Sequence, residues 1–338
     1  MPSPLEILPS PLALAPMAGG VGTVRLAVAA TAGGAFGFLP GGYRTPDDLS
    51  ADIVAFRAAS GAAFGVNLFV PPTEPDPDTG VAEYARLLRP EADRLGVSLG
   101  QPGRGDDWFP DKIEMLLADP VPLVSFTFGV PDAAALVALG KAGTVRVVTV
   151  TSAEEARRVE GLAVDAICVQ SAAAGGHRGT HGNYDGSPHG LATLLAEVRR
   201  ASALPMIAAG GLAGPSEVAA ALTAGAAAVQ AGTAFLAADE SGASESHKDA
   251  LVEPGARTTL TRAFSGRPAR GVVNRFVDKY GSAAPAAYPQ VNALTRPLRR
   301  AAAAAGDVSA QSLWAGAGHA RARRAGAALI ARELLSGV

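Results

Sequence analysis

One histidine stands where proton chemistry is easiest to arrange. His177 lies in Gly175-Gly176-His177-Arg178-Gly179, a stretch too rich in glycine to be core. An imidazole with an ordinary pKa of about 6.5 can take or give a proton near neutrality. Arg178 beside it reads as a solvated loop charge. Two further turns, Gly210-Gly211 and Gly232-Thr233, each follow an apolar run. Glycine lets the backbone approach an oxyanion closely, and Thr233 adds a hydroxyl. Each turn alone reads equally well as a tight connection; the two together point to a phosphate-bearing ligand. Asn67 and Gln170 end two other apolar runs. A carboxamide offers donors and an acceptor, which suits a heterocycle with alternating C=O and N–H, such as the pyrimidine ring of a flavin. The alternative is an amide tied to neighbouring backbone. Met17 is placed to pack on an aromatic ring face or simply in the core.

Other reactive side chains point to less. His181 and His189 raise the alternative of a metal shared with His177. Gly179 and Gly182 oppose the helix that would put His177 and His181 on one face, no carboxylate lies between them, and no metal is expected. Cys168 reads as a structural thiol in a buried strand. The basic runs Arg296–Arg300 and Arg321–Arg324 read as solvated helix faces.

The elements that must position these residues form a repeating series. Eight short apolar runs are each followed by a helix-like stretch: Leu12–Ala15, Gly34–Leu39, Ala63–Phe69, Val121–Phe126, Thr144–Val150, Ala166–Gln170, Pro205–Ala209 and Ala228–Ala231. Continuous apolar runs suit strands buried on both faces. Helix starts are marked by Thr45-Pro46-Asp47-Asp48, by Ser152-Ala153-Glu154-Glu155 in capping-box form, and by Pro215-Ser216-Glu217. Alternating strands and helices predict a parallel sheet, and eight units predict a closed TIM (β/α)8 barrel over residues 1–240; an open doubly wound sheet is the competitor. Pro71–Leu117, which starts Pro71-Pro72-Thr73-Glu74-Pro75-Asp76-Pro77, adds a loop and helices. Residues 241–338 are expected to form a C-terminal, mainly helical extension packing over the barrel and the active site. In such a barrel the site forms at the C-terminal ends of the strands, with phosphate commonly bound after the seventh and eighth. The glycine turns at 210 and 232 stand there.

Composition excludes several classes. The 338 residues are 48% hydrophobic and 18% charged, with a formal net charge of -2. That is too apolar for a disordered chain and lacks the basic footprint that nucleic acid requires. The single cysteine excludes an internal disulfide. No secretory signal is read at the N-terminus, and the longest apolar stretch, Leu26–Leu39, is too short and too broken by glycine to span a bilayer. A cytoplasmic protein with neither nucleic-acid nor membrane partners is expected.

These residues resemble the nitronate monooxygenases, bacterial class I type. The likeness covers most of the chain and rests on Ala15-Pro16-Met17-Ala18-Gly19-Gly20, Gly65-Val66-Asn67-Leu68-Phe69, Gln170 through Gly179, Pro205 through Gly211, and Val229-Gln230-Ala231-Gly232-Thr233-Ala234-Phe235. Tyr280-Gly281-Ser282, Ala287-Tyr288-Pro289 and Ser312-Leu313-Trp314-Ala315-Gly316 are similar to its C-terminal motifs. Members often carry an acidic residue where this chain has Ala173. The resemblance implies a TIM barrel with non-covalent FMN that oxidises alkyl nitronates, notably propionate 3-nitronate, with molecular oxygen to a carbonyl compound and nitrite. It implies His177 as the active-site histidine. Met17, Asn67, Gln170, Gly175, Gly211, Gln230, Ala231, Gly232 and Thr233 are the expected cofactor-binding residues, and Tyr280 and Tyr288 the expected substrate pocket. The alternatives are a flavin-dependent enoyl-ACP reductase and a catalytically idle FMN-binding barrel.

Overall fold

The computed structural model describes residues 4–72, 79–102 and 105–338. Residues 1–3, and 73–77 of the proline-rich stretch that follows the third run, lie outside the described residues. One strand falls on each of the eight apolar runs. These are β1 (Leu12–Leu14), β2 (Gly37–Pro40), β3 (Phe64–Phe69), β4 (Leu123–Thr127), β5 (Val145–Val150) and β6 (Ala166–Gln170), then, after a two-residue β7 (Gly176–His177), β8 (Met206–Ala209) and β9 (Ala228–Ala231). The eight long strands are neighbours in the order β1-β9-β8-β6-β5-β4-β3-β2. Parallel bonding between β1 and the residue before β2 closes the ring, with Leu14 N–H donating to Phe36 O at 2.9 Å and Phe36 N–H to Leu12 O at 2.8 Å. The closed barrel is therefore correct and the open sheet is not.

The strands are apolar throughout because both faces are buried. Leu12 and Leu14 pack outward with the helices, while Ala13 between them packs inward with Phe36, Phe38, Val147, Cys168 and Ile207. The wall helices begin as the sequence predicts. In α2 (Pro46–Ala59) the Thr45 side chain accepts from Asp48 N–H at 3.1 Å, and in α6 (Ala153–Val159) Ser152 accepts from Glu155 N–H at 3.2 Å. Glu155 does not close the capping box on Ser152. Its carboxylate turns to Thr151, accepting from the N–H at 2.5 Å and the hydroxyl at 2.9 Å.

The additions to the barrel form one cap. From the excursion between β3 and β4, α3 (Val81–Leu95) packs with α10 (Arg275–Tyr280) and α11 (Gln290–Ala304), which come after β9. Tyr84, Leu88, Phe264, Phe276, Val291 and Leu298 share this second core. The region beyond residue 240 also holds an antiparallel hairpin, β10 (Thr258–Thr261) and β11 (Ala269–Val272), to which β7 adds a third strand. No helix among the described residues is long and apolar enough to cross a membrane.

The last helix, α12 (Ala327–Leu335), leaves the cap and returns to the barrel wall between α1 (Val24–Ala32) and α8 (Pro215–Thr223). Ala327, Ile330, Ala331 and Leu334 join the main core there. A short turn, Thr233–Phe235, stands where the helix after β9 is ordinarily found. The fit of α12 is tight: a Cβ on Gly33, at the end of α1, would meet Ala328 O at 2.4 Å and Ala331 Cβ at 2.7 Å. Gly33→Ala is accordingly expected to destabilise the fold by about 1–3 kcal/mol through overpacking. Urea unfolding followed by far-ultraviolet circular dichroism measures this, and an unchanged midpoint would remove α12 from the wall.

Candidate active site

The C-terminal ends of the strands open into a cavity of about 860 Å³ between barrel and cap. His177 lines it, as do Met17, Asn67, Gln170, Gly175, Gly211, Gln230, Ala231, Gly232 and Thr233. The two tyrosines do not join them. Tyr280 is a correction: it is buried in the cap core, its ring 4.7 Å from Phe276 and its hydroxyl 3.5 Å from Glu91 Oε2. The face of α10 that carries it packs inward on α3. Tyr288 stands behind the cavity wall, its ring 5.8 Å from that of His177 and its hydroxyl 3.0 Å from the hydroxyl of Tyr43, which does line the cavity.

His177 is held by strand pairing despite its glycine neighbours. In β7 it pairs with Ala269 of β11, and its carbonyl accepts from Gln170 Nε2 at 3.1 Å. Phe128, Tyr288 and Trp314 surround the ring at 6.0, 5.8 and 5.5 Å between centroids. Burial, reinforced by the positive charges of Arg267 and Arg299, pushes its pKa down to about 3. The imidazole is thus neutral at physiological pH.

Arg178 is the second correction. It is fully buried, not solvated. Its guanidinium donates to Ser171 O at 2.5 Å, Asp185 O at 3.0 Å, Gln170 O at 3.3 Å and Ser187 O at 3.4 Å, joining the end of β6 to the far side of the His177 loop. Burial lowers its pKa to about 10, which leaves it charged. Farther along the same loop, His181 N–H donates at 2.8 Å to Glu155 of α6, as does the Tyr184 hydroxyl. Burial raises the pKa of Glu155, but the charge of His181 and these donors outweigh it, and the net shift is downward. His181 Nε2 lies 2.8 Å from Thr149 O, and no cluster of metal-ligating side chains is found among the described residues.

The polar groups along the cavity differ in what they have left to offer. Gln170 is occupied by the loop at both ends of its amide, for Oε1 accepts Gly179 N–H at 2.9 Å. Asn67 spends its Nδ2 on Ser125 Oγ at 2.9 Å and Thr127 Oγ1 at 3.0 Å. Its Oδ1 has no partner among the described residues, is not a buried orphan, and so opens on the cavity as an acceptor. Gln230 is the reverse: Oε1 accepts from Cys168 Sγ at 3.3 Å, leaving Nε2 to donate. Thr233 Oγ1 accepts from Gly316 N–H at 3.0 Å, which frees its own proton. Cys168 itself is buried, and desolvation raises its thiol to about 12, so it is no nucleophile at neutral pH.

The glycine turns form a close cradle beside these groups. Gly210 and Gly211 have φ of +100° and +80°, and a Cβ on Gly210 would meet Ser171 Oγ at 2.6 Å. A Cβ on Gly175 would meet Gly316 N at 2.5 Å. Ala173 closes the cradle through its backbone, accepting Ala317 N–H at 2.9 Å.

Several wall residues escaped sequence reading. Tyr43 and Phe128 follow β2 and β4, strand ends whose side chains gave no motif. Phe128 carries a φ of +80°, costly for a bulky residue, and its ring lies 4.6 Å from that of Phe69. Arg296, Arg299 and Arg300 line the cavity from α11. The expectation of a solvated face fails for Arg299, which burial holds below its ordinary pKa and whose hydrogen-bond partners, Thr295 and Asn292, are uncharged. The later run is paired at the surface, with Arg321 2.6 Å from Glu217 and Arg324 2.5 Å from Glu245.

With this geometry in place, comparison with known proteins is direct. The family described as nitronate monooxygenase matches residues 5–336. A probable nitronate monooxygenase of Bacillus subtilis (strain 168) is 37% identical over 316 residues, covering 92% of this chain and 90% of the relative. The crystal structure of nitroalkane oxidase from Streptomyces ansochromogenes superposes with a TM-score of 0.94 at 49% identity, covering 98% of this chain and 97% of that one. FabK from Thermotoga maritima is similar at a lower level, with a TM-score of 0.77 and 26% identity over 98% and 94% of the two chains. The chain, an oxidoreductase, belongs to the nitronate monooxygenase family.

Proposed function

We propose that this protein holds FMN in the cavity and oxidises alkyl nitronates, such as propionate 3-nitronate, with molecular oxygen to a carbonyl compound and nitrite. The observation that carries the reading is that a neutral imidazole and a glycine cradle share one cavity with an unpaired acceptor, Asn67 Oδ1, and a donor, Gln230 Nε2. The donor set fits the group. Asn67 would accept a ring N–H, Gln230 would donate to a ring carbonyl, and Met17 would pack on the ring. Gly175, Gly210, Gly211, Gly232 and the Thr233 hydroxyl would hold the phosphate, where any Cβ on Gly175 or Gly210 collides with the neighbouring chain. FMN, when bound, supplies the single-electron chemistry between nitronate and oxygen.

The chain supplies charge, exclusion of water and a proton acceptor. Arg267 and Arg299 make the wall beside His177 positive, which favours an anionic nitronate and a substrate carboxylate. Phe128, Trp314 and Tyr288 keep water from that side. With a neutral nitroalkane, His177 accepts the α-proton. The nitronate then formed is an anion beside the new imidazolium, and this opposite charge restores the proton affinity that burial lowers.

His177→Asn is expected to retain FMN, seen as an unchanged visible spectrum, while turnover of a neutral nitroalkane falls by about 10²–10⁴. Undiminished turnover would remove His177 from the reaction. Anaerobic addition of propionate 3-nitronate should bleach the visible absorbance; bleaching by NADH with an enoyl thioester instead would favour the reductase alternative. A second signature needs no substrate. Unfolded histidines bind a proton below about 6.5, whereas the folded protein admits one on His177 only near about 3 and on buried His247 near about 4. Stability therefore falls as pH drops below about 6.5, by about 1.4 kcal/mol per pH unit for each of the two. Urea titrations at pH 6.5 and 5 should show a shallower loss for His177→Asn than for wild type; equal losses would mean that the imidazole is not held neutral.

A further inference from the structure

The two nitrogens of the His177 ring are treated differently by the protein. Nε2 lies 2.9 Å from Ser265 Oγ. Ser265 is fully buried, and its Oγ lies 3.1 Å from Arg267 O. A carbonyl oxygen can only accept, so the contact with Arg267 O uses the hydroxyl proton of Ser265, while Arg267 N–H lies 3.4 Å from the same Oγ. What Oγ presents to the imidazole is a lone pair. In that arrangement Nε2 carries the hydrogen, and Nδ1 the lone pair. Nδ1 has no partner among the described residues and is not one of the buried atoms left without one; His177 lines the cavity, so the basic nitrogen opens on it.

The turn bearing Ser265 is itself clamped. Gly266 N–H donates to Arg262 O at 2.8 Å, Asn183 Nδ2 donates to Gly266 O at 2.8 Å, and the Thr295 hydroxyl donates to Phe264 O. Gly266 has a φ of +75°, and a Cβ there would meet Ala287 O at 2.3 Å. The charged and titratable groups around the ring are Arg267, before β11, Arg299, on α11, and Tyr288. Arg267 is anchored by donation to Arg178 O at 3.3 Å and Gly182 O at 3.1 Å, with its guanidinium 4.1 Å from the centre of the Phe128 ring. Neither arginine offers an acceptor to Nε2, and among the described residues Ser265 is the one side chain hydrogen-bonded to the imidazole.

We infer that Ser265 is a positioning residue, which fixes His177 as the Nε2–H tautomer and presents Nδ1 to the α-carbon of a nitroalkane. The α C–H bond breaks, its electron pair moves into the C=N bond of the nitronate, and the proton passes to Nδ1. The inference rests on the reading of His177 as proton acceptor. A preformed nitronate has already lost this proton, so the ratio of nitroalkane to nitronate turnover isolates the step.

The test uses holoenzyme labelled with ¹⁵N-histidine, the His177 signals being assigned by their loss in His177→Asn. Long-range ¹H–¹⁵N correlation should show protonated Nε2 and bare Nδ1 at pH 7 in the wild type; protonated Nδ1 would overturn the inference. Ser265→Ala should give mixed tautomers and lower the nitroalkane-to-nitronate ratio on the order of ten- to hundredfold, with the loss in kcat more than in KM. Ser265→Thr, which keeps the hydroxyl, should restore both. An unchanged ratio and unmixed tautomer in Ser265→Ala would refute the role of Ser265. Should Ser265→Ala not fold, the wild-type spectrum still decides the tautomer. Failure of the underlying reading is separately visible, as full nitroalkane turnover by His177→Asn with the tautomer still Nε2–H.

Discussion

A buried guanidinium with no hydrogen-bonded carboxylate among the described residues holds the loop around His177 together. Arg178 gathers carbonyls from both limbs of the loop around His177. Burying a charge is strongly unfavourable unless dipoles replace the lost water, and here the backbone supplies them. The loop therefore has its shape because that shape solvates the arginine. Its glycines permit the path, and the two-residue pairing of β7 with β11 sets the height at which the imidazole stands. Gln170 completes the arrangement from the strand below, bonded to His177 O and Gly179 N.

The same economy of roles explains which parts of the site were legible in the sequence. The strands were legible because both faces of each are buried, so apolar content alone marks them. Asn67 and Thr233 were legible as cavity-lining residues because a polar side chain at a barrel mouth is conspicuous among alanines and valines, whereas Gln230 entered only through the family resemblance. Arg178 looks solvated in the sequence because it stands in a glycine-rich loop, and its closest acceptors are backbone carbonyls that no side-chain pattern records. Ser265 was invisible for a different reason. It lies 88 residues from His177 in the chain, in a turn with no chemical signature of its own. Tyr280 shows the reverse error: a motif residue whose helix faces the cap core.

The cap and the barrel divide the electrostatic work. The barrel contributes neutral donors and acceptors, Asn67, Gln230 and Thr233, together with glycine turns. The cap contributes positive charge, Arg299 from α11 and Arg267 from the approach to β11. The positive charges thus lie on the cap side of the cavity, and the uncharged hydrogen-bonding groups on the barrel side. Burial is the main reason that His177 is neutral, and the cap's arginines add to it by opposing a third positive charge.

The placement of α12 bears on how such a chain comes off the ribosome. Nearly the whole cap lies between β9 and the final wall helix, so the barrel's outer layer has a gap until residues 327–335 emerge. The apolar flanks of α1 and α8 face solvent during that interval. Synthesis order thereby favours assembly of the hairpin and cap, whose residues precede α12 in the chain, before the ring of helices is sealed.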